Sequence, residues 1–224
     1  MTDKPSNHTS AHQRHPHNDA LPGQMRKDPH QARATLTIQI IFEAAAQIIQ
    51  SDGLAGLSTN RVAEHAGYAV GTVYQYFNNK ESLLLAMAMH ELDAAALATD
   101  EVMQKADACG LDDTLRAVVQ VWLQVFGGRH RVQRLVMQSV MSHGAHAQFH
   151  DRVVEVAASL GEKLATLPAN GGQPLGAAGQ FVMTRALLGV MRSAVLEDVE
   201  LLPHHALEDE LVRMMTGMLH HTGP

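Results

Sequence analysis

Ile41, Ala44, Ala45, Ile48 and Ile49 recur at intervals of three and four, the period of a helix with one buried face, and Gly53 follows as a stop. The side chains available for a core are of the matching kind. Of the 224 residues 46% are apolar, mostly Ala, Leu, Val and Met, while only 4% are aromatic. Strand-favouring aromatics are scarce and isoleucine clusters in this one early segment. The expected fold is all-α, with enough apolar content for a real core.

The pattern divides the chain. Residues 1–30 hold four prolines, five histidines (His8, His12, His15, His17, His30) and almost no large apolar side chains. Such a segment cannot bury enough surface to offset the entropy of ordering, and a disordered tail is expected. Its histidines are metal-ligand types, but a floppy segment lacks the fixed geometry a metal site needs. Helices are expected at about 33–51, 59–65, 70–77 and 80–108. Further ones follow at about 111–127, 130–142, 147–166, 175–197 and 205–220, split by Gly127-Gly128, His143-Gly144, the Pro168–Pro174 loop and Pro203. That makes about nine helices.

Charge limits the partners. The net charge is -6 and the pI near 6.2, which argues against a protein that coats nucleic acid. From Arg26 to Lys80 five basic residues (Arg26, Lys27, Arg33, Arg61, Lys80) stand against four acidic ones (Asp28, Glu43, Asp52, Glu64). Any DNA contact there must be focused and geometric. The single cysteine, Cys109, excludes an internal disulfide framework. With only Lys105 near it among basic residues, it reads as a quiet, partly buried thiol. No uninterrupted apolar run reaches about 18 residues, and the first 30 have no apolar core like that of a secretory signal. A soluble cytoplasmic protein without membrane association is expected.

Three short helices joined by tight turns, over about 33–77, form a helix-turn-helix unit whose last helix can enter a major groove. Many small helical domains share that outline. The residues narrow it: Ala66-Gly67, then Gly71-Thr72-Val73-Tyr74-Gln75-Tyr76-Phe77, then Lys80-Glu81-Ser82-Leu83, preceded by Gly53, Ser58 and Val62-Ala63. In type and spacing these resemble the signature of the TetR family of transcriptional repressors. The resemblance is tight over 33 to about 92 and extends beyond only in helix number and length. It implies an N-terminal head over 31–80 and a helical effector-binding and dimerisation domain over 81–224. The implied function is a repressor that binds a palindromic double-stranded DNA operator as a homodimer and is released by a small, apolar effector.

Each matching residue has a physical reason for its place. Gly71 lets the backbone approach a base edge or phosphate closely. Thr72, Tyr74 and Tyr76 present hydroxyls and Lys80 an ammonium, and the family uses the matching positions on phosphates. Val73 and Phe77, on the opposite face, are expected to pack against the first helix. Sequence reading falls to Val70 and Gln75, with Thr59 and Arg61 as further candidates. Gln can bond adenine in bidentate fashion and Val can touch a thymine methyl, which forecasts an A·T-containing half-site. Tyr68-Ala69 stand where the family commonly has Val-Ser. The alanine forgoes a side-chain cap, and Tyr68 is either a phosphate contact or a packing residue.

Beyond residue 93 the composition is that of a helical bundle, with ten methionines from Met87 to Met218. Flexible thioethers suit an adaptable apolar pocket and equally fill cores. Trp122, Phe126, Met137, Met141 and Phe181 are the bulky candidates to line an effector cavity. His143, His146 or Arg185 would supply a polar handle. His143, His146 and His150 would share a helix face only if Gly144 did not break it, so no metal site is expected. Apolar stripes at Val182, Ala186, Leu187, Val190 and Val195, and at Leu207, Leu211, Met214, Met215 and Met218, exceed the needs of one bundle face. The resemblance implies a four-helix dimer interface built from 175–197 and 205–220. No nucleophile–base constellation, phosphate-cradling loop or pair of carboxylates at catalytic spacing is visible, so neither an enzyme nor a cofactor is expected.

Overall fold

The computed structural model describes residues 29–126, 131–142, 147–167, 175–197 and 205–220. Nine α-helices are present among them, and no strand: α1 (Pro29–Asp52), α2 (Thr59–Ala66), α3 (Val70–Tyr76), α4 (Lys80–Gln104), α5 (Leu111–Val125), α6 (Arg131–Ser142), α7 (Ala147–Leu164), α8 (Ala177–Leu196) and α9 (His205–His220). The expected all-α class holds, and most helix ends fall within one or two residues of the positions read from the pattern. Two boundaries differ. α1 starts at Pro29, inside the segment expected to be tail, with proline at the first helical position, where its missing N–H costs nothing. α4 ends at Gln104, and Ala106–Ala108 form a separate tight 3-10 turn. The rest of the expected tail lies outside the described residues.

The predicted stripe of α1 is buried as expected: Ile41, Ala45, Ile48 and Ile49 are fully enclosed and Ala44 nearly so. After α1 the chain makes a 3-10 turn, Leu54–Gly56, that folds α2 back onto α1. A Cβ on Gly56 would lie 2.4 Å from the Cβ of Asp52 and 2.9 Å from a guanidinium nitrogen of Arg61, so only glycine fits this return. Between α2 and α3, Gly67 takes the left-handed conformation at φ 70° and closes α2, with Tyr68 N–H reaching the Ala63 carbonyl at 2.9 Å.

α4 joins the head to the rest. Asn79 caps it through a reciprocal pair with Ser82: the Ser82 N–H donates to Asn79 Oδ1 at 2.8 Å, and the Asn79 N–H donates to Ser82 Oγ at 3.2 Å. Its buried residues run from Leu83 to Thr99, and it packs on α5, α6 and α7. Two ion pairs tie it to α7, Arg152–Asp93 and Lys163–Asp100, each at 2.6 Å. One apolar cluster runs from Ile41 to Leu219, so head and bundle share a continuous core.

Two segments, Gln31–Asp52 and Lys80–Gln104, reach a mean hydropathy of 1.2 over 18 residues, the level of a membrane span. Neither contains an uninterrupted apolar run of that length. Both are core helices with polar outer faces, such as Gln39, Glu43, Gln47 and Gln50 on α1, rather than helices apolar all round.

Candidate nucleic-acid interface and ligand cavity

α3 is seven residues long and has two unlike sides. Val73 is fully buried, and Phe77, just past the helix, is nearly so, its ring 5.9 Å from that of Phe42 on α1. On the other side Val70 is 42% exposed, Tyr74 46% and Tyr76 36%, with Gly71 and Gln75 also exposed and Thr72 partly so. A Cβ at Gly71 would meet nothing within 4 Å, so no contact inside the chain requires glycine there. Lys80 is exposed at the first residue of α4, following the α3 side chains.

Two candidates on α2 turn elsewhere, a correction to the sequence reading. Thr59 is buried, and its hydroxyl donates to the Tyr74 hydroxyl at 3.1 Å. Arg61 reaches back to α1, donating to the Gly56 carbonyl at 2.8 Å and to Asp52 at 2.5 Å. The hydrogen bond and charge of Arg61 hold the Asp52 carboxyl below the usual carboxylate range. Thr59 braces α2 against α3, and Arg61 braces it against the end of α1 and the turn that follows. Asn60, between them and exposed, is the α2 residue that the sequence reading passed over. Tyr68 is partly buried against the core, which favours its packing role. Ala69 occupies the cap of α3 and makes no side-chain cap bond.

In the bundle a cavity of about 420 Å³ opens among α6, α7, α8 and the end of α5. Its apolar wall includes Phe126, Val140, Met141, Phe149, Val153 and Leu188, and its polar members are His150, Arg185 and Arg192. Three of the predicted ligand residues, Phe126, Met141 and Arg185, therefore meet there. Trp122 and Met137 are completely enclosed in the core and do not line it. Phe181, expected inside, is 61% exposed on α8, with the Arg185 guanidinium 5.0 Å from its ring centre, because no element among the described residues covers that side of the helix. His143 and His146 lie outside the described residues. His150 is exposed, and no cluster of three or more metal-ligating side chains occurs among the described residues. Cys109 is exposed, contrary to expectation, because none of the described residues packs over the link it occupies between the 3-10 turn and α5. Arg192 could have been suspected from its spacing, seven residues and two helical turns after Arg185.

Comparison with known proteins places these features. Residues 41–87 match the model of bacterial regulatory proteins of the tetR family. The chain spans 81–86% of its length on two solved structures. One is the fatty acid degradation regulator FadR from Bacillus halodurans (TM-score 0.57, 21% identity, 97% of that chain covered). The other is the transcriptional regulator FadR from Bacillus subtilis in complex with stearoyl-CoA (TM-score 0.59, 18% identity, 99% covered). The match to the tetR family is therefore one of residues 41–87, and the rest of the described chain shares the fold of these regulators. Among curated relatives, the fatty acid metabolism regulator protein of Bacillus subtilis (strain 168) is 28% identical over 93 residues, 41% of this chain and 46% of that protein. The match thus spans about half the length of that relative. The TetR family model ends at residue 87, so the match covers the whole of α2 and α3 but stops before the cavity.

Proposed function

We propose that this chain is a cytoplasmic repressor of the TetR family that acts without catalysis. As a homodimer it binds a palindromic operator through α3, and a small ligand with an apolar body and an anionic group, held in the bundle cavity, releases it. The observation that carries the DNA reading is the two-sidedness of α3. Val70, Gly71, Tyr74, Gln75 and Tyr76 face outward while Val73 and Phe77 anchor the helix to α1. The outward set combines hydroxyls for phosphates, an amide for a base edge and a glycine that leaves room for close approach, with Lys80 beside it. Residues 31–80 act as the head and 81–224 as the effector and pairing domain, with α8 and α9 pairing the protomers.

The ligand class follows from the cavity wall and from the relatives. Seven apolar side chains surround a space whose polar members, among the described residues, are His150, Arg185 and Arg192. An acyl chain with a carboxylate or phosphate-bearing head satisfies both, and the Bacillus subtilis FadR structure holds stearoyl-CoA. Release requires the ligand to favour a conformation that binds DNA less well. α4 runs from Lys80 to the helices that wall the cavity. A second link joins the head to α6, where Arg131 donates to the Gln50 carbonyl of α1 at 3.0 Å.

The test is DNase footprinting on the promoter region next to the regulator's own gene, with and without stearoyl-CoA. The expected result is protection of one palindrome with half-sites about 34–36 Å apart, lost as ligand is added. Uniform protection of all DNA would show a non-specific coating protein instead, and a sharp footprint indifferent to acyl ligands would remove the effector assignment.

A further inference from the structure

Arg185 and Gly189 line two recesses at once. One is the bundle cavity. The other is a shallow groove of about 460 Å³ on the outer side of α8, formed with Ala186, Val190, Ser193, Ala194 and Leu207. Arg185 and Gly189 thus border both the cavity and the outer groove.

That outer face is apolar and left uncovered by the described residues: Phe181 is 61% exposed, Val182 52% and Val190 38%. The residues are disposed symmetrically about the Arg185–Ala186 step. Phe181 lies four positions before Arg185 and Val190 four after Ala186, while Val182 lies three before and Gly189 three after. Two copies of α8 crossing antiparallel at that step set Val182 against Gly189, twice over, with Phe181 and Val190 at the two flanks of the contact. This is the self-complementarity that a twofold contact requires. A Cβ at Gly189 would meet nothing within 4 Å among the described residues, so the recess there is open to an incoming side chain. The occupant of this face is therefore a second copy of the chain.

The same crossing brings the two Arg185 side chains together near the axis. Among the described residues, Arg185 has the Phe181 ring as neighbour and no carboxylate as partner. Removing two uncompensated guanidinium groups from water and setting them side by side opposes pairing. An anion in the cavity lies against these groups and against Arg192. We infer that ligand occupancy and twofold pairing are linked: the bound anion supplies the counter-charge for Arg185 at the dimer centre, so ligand tightens the dimer. Linkage is reciprocal, so the dimer binds the ligand more tightly by the same factor. The inference rests on the reading above, that the chain pairs through α8 and α9 and takes an amphipathic anion in the cavity.

The experiment uses the full chain and two fluorescent probes with similar aromatic bodies. These are 8-anilinonaphthalene-1-sulfonate, which carries a sulfonate, and N-phenyl-1-naphthylamine, which carries no charge. Sedimentation equilibrium gives the dimer dissociation constant without probe and at saturation with each. The expected result is a decrease of about tenfold with the sulfonate and little change with the neutral amine. Arg185→Gln should dimerise without probe about as tightly as the wild-type chain does with sulfonate, and should lose the probe effect. Val190→Glu, shown folded by circular dichroism, should be monomeric and bind the sulfonate about tenfold more weakly. Three results overturn the inference, each pointing to a different fault. A wild-type chain monomeric throughout removes the pairing reading, and a dimer that binds no sulfonate removes the cavity reading. A dimer that binds the sulfonate with an unchanged dissociation constant removes the linkage alone.

Discussion

The Thr59 hydroxyl donates a hydrogen bond to the Tyr74 hydroxyl at 3.1 Å, tying the first residue of α2 to the exposed face of α3. Thr59 is buried and Tyr74 is 46% exposed, so the bond fixes the tip of an otherwise free ring. Thr59→Val keeps the shape and removes the donor. It should cost about 1 kcal/mol of stability in urea denaturation. It should also weaken operator binding several-fold by fluorescence anisotropy, because Tyr74 must then be ordered during binding. Unchanged affinity in a folded Thr59→Val protein would mean that Tyr74 needs no such support.

The cap of α3 gives a prediction of opposite sign. Ala69 already has the extended backbone of a cap residue, φ -62° and ψ 142°, but offers no side-chain oxygen. Ala69→Ser should supply an acceptor for the N–H of Gly71 or Thr72 and raise stability by about 1 kcal/mol. Asn79→Ala, which breaks the working cap of α4, should lower it by a similar amount. Urea midpoints of the two variants moving in the same direction would contradict this account of the caps.

The helices and the inward face of the head were legible because they rest on periodicity. Ile41, Ile48, Val73 and Phe77 repeat at helical spacing, and the spacing alone says that they share a side. Thr59 and Arg61 were misread because α2 is only eight residues long, and the fate of each side chain depends on a neighbour elsewhere in sequence. That neighbour is Tyr74, fifteen positions on, for Thr59, and Asp52, nine positions back, for Arg61. Phe181 was expected inside because it is large and apolar, but α8 has an apolar side that the described residues leave bare. The cavity was half-read for a similar reason. Its wall is assembled from four helices spread from Phe126 to Arg192, and no local pattern announces that His150 and Arg192 face the same space.

Lys80 and Gln75 should separate positioning from reading. Both are exposed, but Lys80 offers only a charge while Gln75 offers paired amide groups. Lys80→Ala should weaken binding to every DNA sequence and reduce the slope of log affinity against log salt by about one unit per head. Gln75→Ala should leave that slope unchanged and relax preference at one base pair by about 1–3 kcal/mol. A salt titration on the operator and on single-base variants measures both. A changed slope in Gln75→Ala with no loss of base preference would reverse the assignment.

Glu208 supplies the acid sensitivity of the bundle. It is buried at the start of α9 and accepts from Arg116 at 2.7 Å and Gln120 at 3.0 Å, both on α5, with His205 Nδ1 at 3.5 Å. Burial pushes its carboxyl upward, but the hydrogen bonds from Arg116, Gln120 and His205 and the charge of Arg116 outweigh it and hold the group below the ordinary glutamate range. The folded state thus binds a proton less readily than the unfolded chain, whose glutamates titrate near about 4.3. The stability this contributes is complete above that value and is lost as pH falls through the lower folded-state value. Because α9 is held on α5 by this group, acid should loosen α9 and with it the paired face. Urea midpoints of the wild-type chain should fall between pH 5 and pH 3 more steeply than those of Glu208→Gln, which has no proton to gain at that site. Parallel pH profiles for the two proteins would show that the carboxylate contributes nothing to holding α9.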